Sequence, residues 1–233
     1  MNAALLKAVD VASYQNRLLP LIVFLTDGQS QSPPSEIIDN VNRANFKNIC
    51  MFNLAFGEDT DFGFLKKLSL QNNGFARKIY EGSDAASQIE NFYDEISTPI
   101  LSNVEILYPR DSGIDESTVP ELQTGNVFRG SEMVVCGKVK DPCNKSTGVA
   151  YEIRGYSSFG PFRQVIFSTN TVRNLDCTGK EPSKPVTENN NFLERLWAYK
   201  AINNKLDDIE RTDNEMEKKI IKEQTLSLCL RVS

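Results

Sequence analysis

The sequence predicts an α/β protein: a partial doubly wound parallel sheet, followed by a β-sandwich-like segment and a helical tail. Three observations predict it. Residues 18–25 and 48–57 are nearly unbroken apolar runs bounded by turn residues, which suits parallel strands buried on both faces. Helix-period stretches alternate with them, so the connections are crossovers. After Ser102 the apolar period becomes two, and no helical pattern returns until residue 191.

Taken in order, residues 2–13 read as a helix on the apolar face Leu5, Leu6 and Val9. The strand 18–25 ends in Thr26-Asp27-Gly28. Ser32 or Pro33 opens a second helix striped by Ile37, Ile38, Val41 and Ala44. The strand 48–57 leads to a helix capped by Asp59 or Thr60, with Phe62, Leu65 and Leu68 inward. Asn73-Gly74 ends that helix as a left-handed cap. Residues 75–81 form a third, shorter strand. Asp84 caps a long helix burying Ile89, Phe92, Tyr93, Ile96 and Ile100. The chain opens on a helix, so this sheet lacks its first strands.

Val104, Ile106 and Tyr108 alternate as a half-buried strand, and residues 110–125 read as a loop. Residues 126–140 read as strands around Arg129-Gly130. Residues 149–156 and 161–168 form a further pair joined at Phe159-Gly160. Residues 178–190 are a linker by composition. The tail presents Phe192, Leu193, Leu196, Trp197, Tyr199, Ile202, Leu206 and Ile209 as one broad apolar face, with Trp197 and Tyr199 as packing anchors. The domain reading is therefore 1–101 for the α/β part, 102–177 for the β-rich segment, 178–190 for the linker and 191–233 for the helices.

Composition narrows the chemistry. The 233 residues are 40% hydrophobic and 24% charged, with 26 basic and 31 acidic side chains and a net charge of −5. An acidic chain has no electrostatic reason to bind nucleic acid. The histidine count is zero, which removes Ser-His-Asp and Cys-His catalysis and His-based metal sites. A hard-cation site made of oxygens survives that exclusion. No apolar run spans a membrane, and no basic segment precedes the apolar N-terminus as in a secretory leader. Five cysteines are too few for a disulfide scaffold; Cys136 and Cys143, the one close pair, are either bridged or two thiols. No glycine-rich phosphate loop and no outstanding acid pair is present, so the chain reads as no enzyme.

Asp27 is the leading candidate residue. It follows a parallel strand, where open α/β sheets bind ligands. Its carboxylate suits a divalent cation, while a plain strand-to-helix capping aspartate explains it equally simply. Glu58, Asp59 and Asp61 cluster at a helix start, where they favour the helix dipole. Asn144-Lys145-Ser146 is an N-glycosylation sequon in a polar turn.

The segment Leu18-Leu19-Pro20-Leu21-Ile22-Val23-Phe24-Leu25-Thr26-Asp27-Gly28 resembles the fourth strand and third metal loop of von Willebrand factor A domains. Asn53-Leu54-Ala55-Phe56-Gly57-Glu58-Asp59-Thr60-Asp61-Phe62 resembles a stretch of the inter-alpha-trypsin inhibitor heavy chains. So do Leu68-Ser69-Leu70-Gln71-Asn72-Asn73-Gly74-Phe75-Ala76-Arg77-Lys78-Ile79-Tyr80-Glu81, Phe92-Tyr93-Asp94-Glu95-Ile96-Ser97-Thr98-Pro99-Ile100-Leu101, Phe128-Arg129-Gly130-Ser131-Glu132-Met133-Val134-Val135 and Glu194-Arg195-Leu196-Trp197-Ala198-Tyr199, in that family's order. The resemblance fades in residues 110–125, 155–190 and 210–220.

The resemblance implies a magnesium-type metal-ion-dependent adhesion site to which Asp27 gives the third-loop ligand. The family's Asp-x-Ser-x-Ser loop and its threonine loop have no counterpart here, so the site is expected to be incomplete in this chain. It implies a secreted, extracellular, non-enzymatic glycoprotein, joined to a Kunitz-type protease inhibitor through chondroitin sulfate and transferable to hyaluronan. The chain is expected to be a fragment of such a protein. The alternative is a generic A-domain adhesion or scaffold protein that holds a partner carboxylate through a cation; the segments after residue 101 argue against it.

Overall fold

A computed structural model describes residues 1–14, 19–82, 84–110, 112–120, 125–140, 149–168 and 192–232, and the structural statements concern those residues. In chain order the first elements are α1 (Asn2–Ser13), β1 (Leu21–Thr26), α2 (Pro34–Ala44), β2 (Cys50–Phe56), α3 (Phe62–Gln71), β3 (Ala76–Ile79) and α4 (Ala85–Ile96). Then come β4 (Pro99–Leu107), β5 (Ile114–Asp115), a 3-10 turn (Glu116–Thr118), β6 (Val127–Phe128), β7 (Lys138–Val139), β8 (Val149–Ser157), β9 (Gly160–Ser168), α5 (Phe192–Arg211) and α6 (Glu215–Val232). The chain divides into two compact units. One is Met1–Ser102 with Thr124–Glu132 and Tyr156–Gly160; the other is Asn103–Gln123 with Met133–Gly155 and Pro161–Ser233.

In the first unit three parallel strands run in the order β1-β2-β3, with Leu21 opposite Cys50 and Asn53 opposite Ala76. Strand side chains alternate between faces, so β2 feeds two cores. Met51 and Ala55 join Leu5, Val9, Ile37, Val41, Leu65 and Leu68 from α1, α2 and α3. Cys50, Phe52 and Leu54 join Ile79, Phe92, Ile96 and Phe128 on the other side. Helices on both faces of a parallel sheet are the doubly wound arrangement that the alternating pattern predicts.

Three details differ from the sequence reading. The strand 18–25 was expected to be buried on both faces, yet Val23 and Leu25 of β1 are 45% and 52% exposed while Ile22 is buried. β1 pairs only with β2 in the three-stranded sheet, and α4 lays Phe92 and Ile96 against Phe52, Leu54 and Ile79 instead. The cap of α3 is Asp61, whose Oδ1 accepts from the Phe64 N–H at 3.0 Å, rather than Asp59 or Thr60. The Thr60 hydroxyl instead donates to the Phe56 carbonyl at 2.6 Å. Tyr93 and Ile100 are exposed, because α4 turns only Phe92 and Ile96 fully inward and Ile100 already belongs to β4.

The helix ends agree with expectation elsewhere. Asn73 has φ +57°, and the Gly74 N–H donates to the Ser69 carbonyl at 3.0 Å, which closes the C-terminus of α3. The Asp84 carboxylate accepts from the Ser87 N–H at 3.2 Å and caps α4. Gly74 has a steric reason to be glycine: a Cβ there would lie 1.9 Å from the Met51 carbonyl oxygen.

Residues 124–132 complete the first unit. β6 pairs antiparallel with the start of β4, Pro99 opposite Phe128. Phe128 then meets Phe52 edge-on at 5.7 Å, beside the Phe52–Phe75 contact at 5.1 Å and Phe75–Phe92 at 5.6 Å. Such edge-to-face pairs add to plain area burial. Arg77 stacks its guanidinium on Phe75 and Phe92 and pairs with Glu95 at 2.7 Å.

In the second unit β5 pairs antiparallel with β7, and β8 lies between β4 and β9 in a separate sheet. Residues 110–125 were expected to be loop only; they hold β5 and the 3-10 turn, where Asp115 Oδ1 accepts from the Ser117 N–H. Residues 126–140 form less strand than the pattern suggests. Ser131 Oγ bonds both the N–H and the carbonyl of Phe128, and this turn takes Met133, Val134 and Val135 off the ladder. β8 and β9 form the expected hairpin through Phe159-Gly160, with Gly160 at φ +125°. α5 and α6 pack together, but Phe192, Leu193, Tyr199 and Leu206 are exposed rather than forming a buried face. Among the residues of α5 only Ala198 is buried. The linker 178–190 lies outside the described residues.

Candidate functional site

Parallel pairing brings the chain out of β1, β2 and β3 at one edge of the sheet, so the loops after them are neighbours. Thr26-Asp27-Gly28 leaves β1 there. The Gly28 N–H donates to Thr26 Oγ1 at 3.4 Å, a local turn that leaves Asp27 exposed at its apex. Gln29 Nε2 donates to the Asp59 carbonyl at 3.3 Å and ties this loop to the one after β2. Gly57 at the start of the second loop has φ +81°, a conformation that favours glycine. Asp61 is spent on its cap, which accords with a helix-dipole role for that carboxylate.

Magnesium demands near-octahedral oxygen coordination, usually with several waters and one or two carboxylates. At this edge Asp27 offers a carboxylate and Thr26 a hydroxyl that already accepts from Gly28. Among the described residues no three His, Cys, Asp or Glu side chains come together to hold a metal.

Other sequence candidates are placed as follows. Asn144 and Cys143 lie outside the described residues, so the sequon and the Cys136–Cys143 alternative have no structural account. Cys50 is a buried free thiol. Burial pushes the Cys50 thiol up to about 11, partly offset by a hydrogen bond with Asn126. Trp197 is a packing anchor of a polar kind: its Nε1–H donates to the Thr118 carbonyl at 2.6 Å, and Lys138 Nζ sits 5.7 Å from its ring. Tyr199 is exposed and is not an anchor.

Sequence reasoning missed Asn53. It is wholly buried in β2, and Nδ2 donates to the Leu65 carbonyl at 3.0 Å and Ser69 Oγ at 2.8 Å. The available signal was an amide inside an otherwise apolar strand. It also missed a cavity of about 710 Å³ in the second unit, walled by Thr118, Trp197, Asn204 and Leu228 and remote in sequence from Asp27.

Residues 1–95, which hold the parallel sheet and the aspartate at its carboxyl edge, match the von Willebrand factor type A domain. The likeness of the chain to known proteins extends well beyond that domain. It is 37% identical over 226 residues to "Inter-alpha-trypsin inhibitor heavy chain H6" of Homo sapiens, covering 89% of this chain and 16% of that protein. It is 36% identical over 242 residues to "Inter alpha-trypsin inhibitor, heavy chain 4" of Mus musculus, covering 99% of this chain and 24% of that one. Among solved structures, "von Willebrand factor type A from Catenulispora acidiphila" overlays with TM-score 0.45 and 13% identity, covering 72% of this chain and 46% of that chain. The chain is thus a homologue of the inter-alpha-trypsin inhibitor heavy chains. It spans between 16% and 26% of the length of these relatives.

Proposed function

We propose that these residues serve as the later part of an A domain, with its following β-rich and helical regions, in a secreted, non-enzymatic heavy-chain-type protein. Asp27 gives one oxygen ligand to a divalent-cation site whose other ligands lie in sequence outside these 233 residues. Through that protein the chain takes part in the assembly that the family resemblance implies: linkage by chondroitin sulfate to a Kunitz-type protease inhibitor, and transfer to hyaluronan in the matrix. Asn144 carries an N-linked glycan in this reading. The observation that carries the proposal is the exposed Asp27 at the sheet's carboxyl edge, in a chain that aligns along nearly its whole length with the heavy chains.

Sequencing the transcript upstream of Met1 tests it. An Asp-x-Ser-x-Ser loop and a threonine loop, in frame, are the expected result. An upstream frame without them would leave Asp27 a lone capping residue of a metal-free A domain. Glycosylation is checked separately, by expressing the chain behind a secretory leader. Enzymatic removal of N-glycans should lower its mass, and Asn144→Gln should abolish that difference.

A further inference from the structure

Two dipeptides in the chain share one chemical weakness. Asp27-Gly28 is its single Asp-Gly pair and Asn73-Gly74 its single Asn-Gly pair. Before glycine, the Cγ of aspartate or asparagine is open to attack by the next backbone nitrogen, because glycine has no Cβ to obstruct the approach. The reaction needs that nitrogen released from its hydrogen bond, and a peptide free to turn until nitrogen and Cγ are in reach.

The fold treats the two pairs oppositely. The Asn73-Gly74 peptide is pinned on both sides: its carbonyl accepts from Asn126 Nδ2 at 3.0 Å, and its N–H donates to the Ser69 carbonyl at 3.0 Å. A Cβ on Gly74 would lie 1.9 Å from the Met51 carbonyl oxygen, so the β2 backbone closes the remaining side. This peptide can turn only if the α3–β3 connection opens. At the other pair, Asp27 is exposed. The Gly28 N–H donates to Thr26 Oγ1 at 3.4 Å, beyond the usual length of about 2.9–3.0 Å. Apart from its chain neighbours, no atom lies within 4 Å of where a Gly28 Cβ would stand.

We infer that Asp27-Gly28 is a site of spontaneous isomerisation in the folded protein, turning Asp27 into isoaspartate with age, while the chemically more labile Asn73-Gly74 is protected. The Gly28 nitrogen bonds Asp27 Cγ, one Cγ–Oδ bond breaks, and the nitrogen's proton leaves with that oxygen as water. A water molecule then opens the cyclic imide. Cleavage between the nitrogen and Cγ returns aspartate. Cleavage between the nitrogen and the Asp27 carbonyl carbon leaves the main chain running through Cβ and Cγ. The composition is unchanged, but the main chain gains one carbon between β1 and Gln29, and the carboxylate now sits directly on Cα. The carboxylate at the sheet's edge therefore has a limited lifetime in its original position. This chemistry needs only the open turn and stands apart from the reading of Asp27 as a cation ligand.

Ageing the 233-residue chain at physiological temperature and neutral pH tests this. Peptide mapping and methylation by an isoaspartate-specific carboxyl methyltransferase read the products. The folded chain should accumulate isoaspartate at Asp27 and keep Asn73 intact. In guanidinium the order should invert, with Asn73 losing ammonia at least about tenfold faster than in the folded chain. Gly28→Ala has room for its Cβ and a φ outside the left-handed region, so its circular dichroism should match the parent. Its Asp27 should convert at least about tenfold more slowly. A folded chain that forms no isoaspartate at Asp27 would overturn the proposal. So would folded Asn73 converting at the pace of Asp27, or a Gly28→Ala chain converting as fast as the parent.

Discussion

Gly74 offers the most direct test of how the first unit is held together. A Cβ at this position would lie 1.9 Å from the Met51 carbonyl oxygen and 2.6 Å from its carbon, where real Cβ atoms essentially never come within 3.0 Å. Either the α3–β3 connection or β2 must therefore move by about 1.1 Å. Both partners in the clash are backbone, so no side chain can yield instead. The move pulls on two bonds that lace the connection to β2: Met51 N–H to the Asn72 carbonyl at 3.0 Å, and Asn53 N–H to the Phe75 carbonyl at 3.2 Å. Forcing extra volume into packed structure costs about 1–3 kcal/mol, and each weakened backbone bond adds about 1 kcal/mol. Gly74→Ala should thus cost about 3–5 kcal/mol, a large share of a typical domain's stability. Urea unfolding followed by far-ultraviolet circular dichroism measures it, and hydrogen exchange at Met51 and Asn53 should speed up in step. The neighbouring Asn73→Gly change is the control: at φ +57° glycine is at ease, so its effect should stay within a few tenths of a kcal/mol. A Gly74→Ala chain within about 1 kcal/mol of the parent would refute the close-approach reasoning.

Further outcomes follow from the same packing. Phe128→Ala should cost about 3–5 kcal/mol in urea unfolding, because Phe128 fills the aromatic cluster with Phe52 and closes the second core; an unchanged midpoint would show that residues 124–132 are not part of that unit. Asn72→Ala should cost about 2–4 kcal/mol, since Asn72 Nδ2 bonds the Leu68 carbonyl and Asn42 Oδ1, and its Oδ1 accepts from Asn45 Nδ2, all at 2.8–2.9 Å. Asn72→Asp, which keeps the shape but loses the donor, should fall short of full rescue. Cys50 is held protonated by burial, with its folded value about 11 against an ordinary 9.0. The sign follows: below pH 9 the fold bears no penalty, and between pH 9 and about 11 the unfolded chain releases this proton first, so stability falls as pH rises. Iodoacetamide at pH 8 should label Cys50 last among the thiols, and Cys50→Ser should flatten the alkaline loss.

The strands and helices of the first unit were legible because each is short, periodic and punctuated. Asp84, Asn73-Gly74 and the apolar stripe of α2 carry their own stop and start signals. What escaped the sequence depends on neighbours. The run Val23-Phe24-Leu25 looks the same whether one face or two are covered, and only the three-stranded order with α4 over Phe52 and Ile79 shows that one is open. Asp59 or Thr60 was the expected cap of α3; the cap is Asp61, and the Thr60 hydroxyl turns back to Phe56. Asn45 and Asn72, which no local pattern singles out, form a buried amide network joining the ends of α2 and α3 to Ile49 just before β2. On α5 the apolar count was visible but its destination was not, since half of that face is exposed in a single chain. Asp27 was legible as a candidate from its place after a strand, but one residue cannot announce whether its co-ligands are at hand.

That last point is the central one, and magnesium titration into the 233-residue chain by isothermal calorimetry bears on it directly. The account predicts no saturable heat in the micromolar range, and a trace identical to that of Asp27→Ala. Saturable micromolar binding that Asp27→Ala removes would contradict it, for these residues would then hold the cation by themselves.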